Sequence, residues 1–303
     1  MAPPRSQAAE AKRKRRKVLR EQRERAEREQ DDWIDSLSCS QKVAWARQHI
    51  DTLDKSIKGW FDRGGYTLVH EIDPETGYHV LRTKIAEPPQ DDWPLLIGDI
   101  AHNLRAALDH VAFVLMGAHQ SHTNPGVPIP ATVVRESEFP VISGVNEKTG
   151  KTGIGEQQFK SAAGTKLPGI SRDARAAVKA LQPYHRGAQF AADELWLIHD
   201  LDRVDKHREL AVVTASVYLP EVSIGGSGFL PHLWIGGGVV EDGTKVAEWA
   251  QPEGPAPRVN LKFAGEIAFG QGTAAQGRKV GETLRGLADY LSGTVIPRLA
   301  RLL

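Results

Sequence analysis

The sequence predicts an α+β fold in which the helices form the larger core. Three observations support this prediction. Apolar residues recur at helical spacing through most of residues 31–209, short β-rich runs bounded by Gly and Pro follow over residues 210–270, and helical spacing returns over residues 277–303. We therefore expect a helical bundle core with an N-terminal β-hairpin, an antiparallel β-meander and a C-terminal amphipathic helix.

The composition excludes several classes of protein. The chain has 303 residues, of which 40% are hydrophobic and 25% are charged, and these values exclude collagens, coiled-coil rods and wholly disordered chains. The single cysteine, Cys39, excludes an internal disulfide and a Cys-based zinc site, and it favours the cytosol. No apolar run approaches the roughly 18 residues that a membrane span needs. We expect a soluble, cytoplasmic protein that does not contact a membrane.

The charge is distributed unevenly along the chain. Residues 1–30 contain eleven Lys or Arg against five Glu, a net charge of +6, which leaves −5 for residues 31–303 because the whole chain carries +1. This contrast predicts a basic tail over residues 1–30, either disordered or a solvated helix with i,i+4 charge pairs, and one α+β domain over residues 31–303. The tail could bind RNA phosphates through counterion release, or it could serve only as a solvating arm. The candidate nucleic-acid-binding residues are Lys12, Arg13, Lys14, Arg15, Arg16 and Lys17.

The sequence of the first part of the domain predicts two long helices, one on either side of a β-hairpin. The first helix runs from Trp33 to about Arg63 and ends at a Gly-Gly pair. The strand-like runs YTLVHEI and YHVLRTKI flank the turn DPETG and predict a β-hairpin. The second helix runs from about Trp93 to Met116, with Asp91 or Asp92 as its cap.

The next segment, residues 117–169, is predicted to be mostly irregular because prolines and glycines interrupt it throughout. An irregular stretch of about 50 residues within a domain suggests a lid, a partner-binding loop or local disorder. Two further helices follow, SRDARAAVKALQPYH and AADELWLIHDLDRVDKHREL. The β-meander and the C-terminal helix complete the predicted order of elements.

The second helix carries the candidate site. Six of its residues form the predicted core face, namely Ile97, Ile100, Leu104, Leu108, Val111 and Leu115. Polar residues border this face, with Asp99, Asn103 and His110 on one side and His102, Arg105 and Asp109 on the other. Border positions are expected to be half-buried, where a pKa can be perturbed while a substrate still reaches the group.

Arg105 and His110 fit the R-x4-H form of the R-x4-to-6-H motif of HEPN domains, and this helix resembles the motif helix of that family. The resemblance implies a helical bundle and a metal-independent endoribonuclease of a defence or toxin type, with no cofactor. In that reaction Arg105 would bind phosphate and His110 would transfer protons. Asn103 and Asp99 would orient His110.

The spacing of the motif bears on the oligomeric state. Five residues turn a helix by about 500°, so Arg105 and His110 point roughly 140° apart. The resemblance implies a homodimer in which each site draws on both chains. The alternative is structural: Arg105 pairs with Asp109 at i,i+4, and His110 forms a hydrogen bond with Asn103 or another neighbour.

A later segment adds supporting residues. The chain is similar to a group of bacterial and phage proteins that combine a segment like NLRAALDH, here residues 103–110, with one like DKHR, here residues 205–208; this second resemblance implies no activity. Asp205 and Arg208 either form an ion pair or extend a polar pocket near His110. The full supporting set is His102, Asp109, Asp205, His207 and Arg208. A separate strip of His199, Asp202 and Lys206 is predicted to face solvent or to rim a cleft.

Two other functions remain open at this stage. One is a non-catalytic protein that binds a nucleic acid or a protein through the polar border, the long loop or the tail. The other is a metal phosphohydrolase that uses His110, His199, Asp200 and Asp205, since His199-Asp200 is similar to the paired HD of that class. The leading hypothesis requires no metal.

Overall fold

The computed structural model describes residues 17, 19–25, 29–30, 32–146, 148–207, 212–225, 232–236, 238–239, 242–250 and 258–303. Within these ranges the chain is a mixture of helices and antiparallel strands, which confirms the predicted α+β class. None of the described helices is long and apolar enough to cross a membrane.

Helices α1 (Ser38–Asp62) and α2 (Asp92–Thr123) pack against each other to form the centre of the core. All six residues of the predicted α2 core face are buried, which confirms the helical spacing. Trp60 of α1 and Trp93 of α2 are also buried, with ring centroids 5.8 Å apart in an edge-to-face arrangement. The prediction that helix α1 starts at Trp33 is wrong in detail, because the helical residues 32–36 are separated from α1 by a bend at Leu37.

The prediction that residues 117–169 are mostly irregular is confirmed only narrowly, because helices cover almost half of the described residues in this range. Helix α2 continues beyond Met116 to Thr123, and two shorter helices follow, α3 (Ala131–Glu136) and α4 (Gly155–Lys166). The buried residues of α4 are Gly155, Phe159 and Ala163, which is too narrow a stripe for helical spacing to stand out in the sequence.

The next helices follow the prediction more closely. Helix α5 (Arg172–Ala180) starts at Ser171, whose Oγ accepts a hydrogen bond from Ala174 N at 3.1 Å. A 3₁₀ segment (Pro183–Ala192) connects it to helix α6 (Glu194–His207). Helix α6 packs against α2 and carries the residues that become important below.

The N-terminal hairpin is confirmed. Strands β1 (Tyr66–Ile72) and β2 (His79–Ile85) pair antiparallel, and Tyr66 lies opposite Ile85. The turn between them is stabilised by Asp73, whose Oδ1 accepts hydrogen bonds from Glu75 N at 2.9 Å and from Thr76 N at 3.1 Å.

The predicted meander is wrong in its strand pairing. The strands are β3 (Val212–Gly225), β4 (Trp234–Ile235), β5 (Gly238–Val239), β6 (Lys245–Trp249) and β7 (Arg258–Phe269). The described strands form two sheets, with orders β1-β2-β6-β4 and β5-β3-β7. Strand β6 therefore extends the N-terminal hairpin, and none of these five strands pairs with its immediate successor in the chain. The alternation of apolar residues marks a strand but does not specify its partner.

The C-terminal helix is confirmed, with an internal change of geometry. Helix α7 (Val280–Tyr290) is followed by a π-helical turn (Leu291–Val295) and helix α8 (Ile296–Ala300). Pro297 lies in the first turn of α8, where the missing backbone N–H is tolerated. The apolar residues of this segment face the core, as expected for an amphipathic helix: Val280, Leu284, Leu287, Leu291, Ile296 and Leu299 are buried and Leu303 is half-buried.

Candidate functional site

Arg105 is buried, with 4% of its surface exposed, so the prediction that it lies at a half-buried border is wrong. Its Nη2 donates to Glu138 Oε1 at 2.7 Å and to the Phe139 carbonyl oxygen at 2.9 Å, and it lies 3.1 Å from Asp109 Oδ1. The alternative pairing of Arg105 with Asp109 is thus confirmed. The physical reason for the burial is that residues 138–139, which come from a distant part of the chain, cover this border of α2.

The contacts around Arg105 form a connected group. Asp109 Oδ1 accepts a hydrogen bond from Phe139 N at 2.9 Å, and Lys166 Nζ lies 2.8 Å from Glu138 Oε2. We call Arg105, Asp109, Glu138, Phe139 and Lys166 the anchor, because together they fasten the segment after α3 to α2 and α4.

The electrostatics of the anchor are those of a buried ion network. Burial raises the pKa of Asp109 although the nearby Arg105 charge opposes this effect. Burial would also raise the pKa of Glu138, but hydrogen bonds and charge from Lys166 and Arg105 together lower it below its usual value. Removal of Arg105 would therefore leave two carboxylates without their shared cation.

Within one chain, the four predicted catalytic residues do not form a single cluster of contacts. Asn103 is buried, donates from Nδ2 to the Asp99 carbonyl oxygen at 2.8 Å and accepts from Lys42 Nζ at 3.2 Å, so it links α2 to α1. The Asp99 side chain is exposed. His110 is half-buried and shares no hydrogen bond with Asn103, so the expected bond between them is wrong. Arg105 and His110 share only their helix, on which they point in different directions.

The supporting residues form a second group where α6 meets α2. His102 is exposed and its Nδ1 lies 3.1 Å from Asp202 Oδ1. Asp202 is buried, with Lys206 Nζ 2.7 Å from its Oδ2, so the prediction that Asp202 faces solvent is wrong. Helix α2 covers this face of α6, which explains the burial. Asp205 is half-buried against Gly98, and burial, then Asp202 and Asp99, raise its pKa.

Two predicted supporting residues, His207 and Arg208, come at the end of helix α6 in the sequence. His207 is exposed, whereas Arg208 lies outside the described residues, and so does its predicted ion pair.

Of the six candidate nucleic-acid-binding residues in the tail, Lys17 is described and exposed, and its Nζ lies 3.8 Å from Glu21. The pairs Arg20–Glu24 at 2.6 Å and Arg25–Glu29 at 2.8 Å confirm the predicted i,i+4 pairing. The candidate nucleic-acid-binding residues Lys12, Arg13, Lys14, Arg15 and Arg16 lie outside the described ranges.

The HD dipeptide is used structurally. Asp200 is buried and accepts hydrogen bonds from Ala274 N at 2.7 Å and from Arg203 Nη2 at 2.6 Å. In the part of the chain that is described, no three His, Cys, Asp or Glu residues are grouped so that they could hold a metal ion. The His110, His199, Asp200 and Asp205 site is therefore not assembled.

A cleft of about 680 Å³ lies next to the anchor, and the sequence pointed to it only indirectly, through the long loop and the predicted cleft rim at His199. It lies between residues 141–146 and Lys148 on one side and helices α4 and α6 on the other. Its lining residues are Val141, Ile142, Ser143, Val145, Asn146, Lys148, Gln158, Ser161, Ala162, Trp196 and His199. We call it the His199 cleft.

Two polar atoms at this cleft are enclosed without a hydrogen-bond partner, namely His199 Nδ1 and Gln158 Oε1. Burial first, and then the positive charges of Arg105 and Arg203, lower the pKa of His199 to about 4. The imidazole is therefore neutral at physiological pH. A neutral ring can donate one hydrogen bond through one nitrogen and accept another through the other nitrogen.

The chain matches no protein-family model, no curated protein and no solved structure. The resemblances to HEPN domains and to the bacterial and phage group therefore stay predictions.

The lowered pKa of His199 predicts a pH-dependent stability. The unfolded state, with a pKa near 6.5, binds more protons than the folded state between pH 6.5 and 4, so the stability present above pH 6.5 is lost as the pH falls towards 4. Over this whole pH range the free energy of unfolding decreases by about 3 kcal/mol. Between pH 7 and pH 4.5 the free energy of unfolding should decrease by about 2 kcal/mol less in His199→Gln than in the wild type, as measured by urea unfolding.

The matched control for this measurement is His207→Gln, which changes an exposed histidine on the same helix. Its free energy of unfolding should decrease as steeply as that of the wild type when the pH is lowered. An unchanged slope in His199→Gln would show that His199 titrates normally in the folded protein.

Proposed function

We propose that the chain is a non-catalytic binding protein whose recognition site is the His199 cleft. The observation that carries the proposal is the burial of Arg105, whose guanidinium binds Glu138, Asp109 and the Phe139 carbonyl. An arginine held in this way stabilises one wall of the cleft and is not free to bind an RNA phosphate.

The wall formed by residues 139–146 is fixed at several points. Gln182 is buried, donates to the Pro140 carbonyl at 2.9 Å and accepts from Ile142 N at 3.0 Å. Gln158 Nε2 donates to the Val145 carbonyl at 3.1 Å. A wall that is tied to α2, α4 and the end of α5 gives a preformed site, as small-molecule sites usually are.

The second candidate is the metal-independent endoribonuclease, acting as a homodimer. His110 favours it, because this half-buried histidine of α2 makes no hydrogen bond with the described residues and could transfer protons. The reaction would require Arg105 to leave the anchor. Binding of RNA by the basic tail without cleavage is a further form of the binding hypothesis, supported by the eleven Lys or Arg in residues 1–30.

The deciding experiment is RNA cleavage with chelator present, by wild type, His110→Ala and the exposed control His207→Ala, with the oligomeric state measured in the same preparations. We expect all three proteins to leave the RNA intact. Cleavage by wild type and His207→Ala but not by His110→Ala would overturn the binding proposal and support the ribonuclease. Removal of residues 1–30, tested at several salt concentrations, would show whether the tail binds RNA.

A further inference from the structure

The His199 cleft has features that select the chemistry of its ligand, and the following inference rests on the proposed binding function. We infer that the cleft takes a small molecule with an apolar body and one carboxylate.

The apolar part of the cleft can hold a hydrocarbon or an aromatic ring. The volume of about 680 Å³ lies within the range of roughly 300–1,000 Å³ that is typical of small-molecule sites. Its apolar lining comes from both the loop and the helices, through Val141, Val145, Ala162 and Trp196. The Trp196 ring packs edge-on against Phe190, with centroids 5.0 Å apart, and this contact orients the ring.

The polar part of the cleft suits one negative charge. Lys148 is the single cation among the described lining residues, and no acidic side chain is found among them. Hydroxyl and amide donors come from Ser143, Ser161 and Asn146. A phosphate monoester is usually bound by several cations, so a single lysine favours a ligand with one negative charge.

His199 is suited to donate a hydrogen bond to a carboxylate. Its Nδ1 is enclosed without a partner, so the ring can meet a ligand only through the edge that carries Nε2. An enclosed nitrogen without an acceptor is less costly as a lone pair than as an N–H, and this places the proton on Nε2.

The charged groups around the ring are ion-paired, which limits the charge that the ligand needs to carry. The charges that act on His199 are those of Arg105, Arg203 and Lys166, against Glu138. Each of these cations has a carboxylate partner, since Arg105 contacts Asp109 and Glu138, Lys166 contacts Glu138, and Arg203 contacts Asp200, so the charges around the ring largely balance. Because the neutral imidazole adds a donor but no charge, the ligand is expected to carry a single negative charge rather than two.

The test measures binding of benzoate and octanoate to the full chain by calorimetry, beside the neutral amides benzamide and octanamide. We expect at least one carboxylate to bind about tenfold or more tightly than its amide. Lys148→Met and His199→Phe should each weaken that binding about tenfold, since each removes one group that holds the carboxylate. Lys148 is exposed, so the first variant should fold normally.

The matched control is Lys151→Met, an exposed lysine that does not line the cleft, and it should bind as the wild type does. The inference is overturned if neither carboxylate binds at about 10 mM, if the amides bind equally, or if Lys148→Met has no effect. Inorganic phosphate and adenosine monophosphate are included, and preference for either would replace a carboxylate with a phosphate ligand. The RNA cleavage assay tests the proposed function separately, so the two can fail independently.

Discussion

Arg105→Ala is expected to lower the free energy of unfolding by about 3–5 kcal/mol, the usual loss when one partner is removed from a buried ion group. The substitution leaves Glu138 and Asp109 without their shared cation and the Phe139 carbonyl without a donor. Urea unfolding at pH 7 measures the effect. Arg105→Lys should lose an intermediate amount of stability, because lysine keeps the charge but its shorter side chain does not place a nitrogen where Nη2 contacts its three partners.

The control is Arg47→Ala, which removes a half-buried arginine whose side chain is 40% exposed and lies 2.6 Å from the exposed Asp289. Exposed ion pairs contribute little, so this variant should lose no more than about 1 kcal/mol. Equal stability of the two alanine variants would mean that Arg105 is not part of a structural network. It would then be available to a phosphate, as the ribonuclease hypothesis requires.

Phe139→Ala is expected to have a similar effect, about 3–5 kcal/mol, because the ring is fully buried in the core. The same residue is held through its backbone, with its N–H bonded to Asp109 and its carbonyl to Arg105. Its loss should therefore both leave a cavity and loosen the start of the wall of the His199 cleft. Unfolding by urea at pH 7 again provides the measurement.

Phe113→Ala is the control for this prediction, since Phe113 is 43% exposed on α2 and should cost no more than about 1 kcal/mol. The double variant Arg105→Ala with Phe139→Ala should lose less than the sum of the single variants, because both release the same segment. Additive losses would contradict the view that the anchor acts as one unit.

The parts of the fold that the sequence predicted are those that local patterns determine. The core face of α2 follows from strong helical spacing, and the hairpin from two strand-like runs around a turn. The burial of Arg105 could not be predicted in this way, because it depends on Glu138 and Phe139, which are distant in sequence. An angle on a helical wheel gives the position of a side chain on its helix but not what covers it.

The same reasoning applies to the sheets and to the candidate site. The runs that became β3 to β7 were recognisable as strands, but pairing of β6 with β2 is a long-range choice that local alternation does not encode. The His199 cleft combines residues of a loop and two helices from three parts of the chain. Neither the enclosed Nδ1 of His199 nor the enclosed Oε1 of Gln158 has a sequence signature, since enclosure is a property of packing.

The pairing of β2 with β6 also sets the order in which the protein can fold during synthesis. Strand β2 ends at Ile85, whereas β6 begins at Lys245, so the inner edge of the hairpin has no partner until roughly 160 more residues have been made. At about 5–20 residues per second this takes about 10–30 s. Throughout that interval the nascent chain presents an open strand edge, the kind of surface that pairs with other chains. Ribosome-bound chains that stop before Lys245 should therefore be the ones most in need of chaperones.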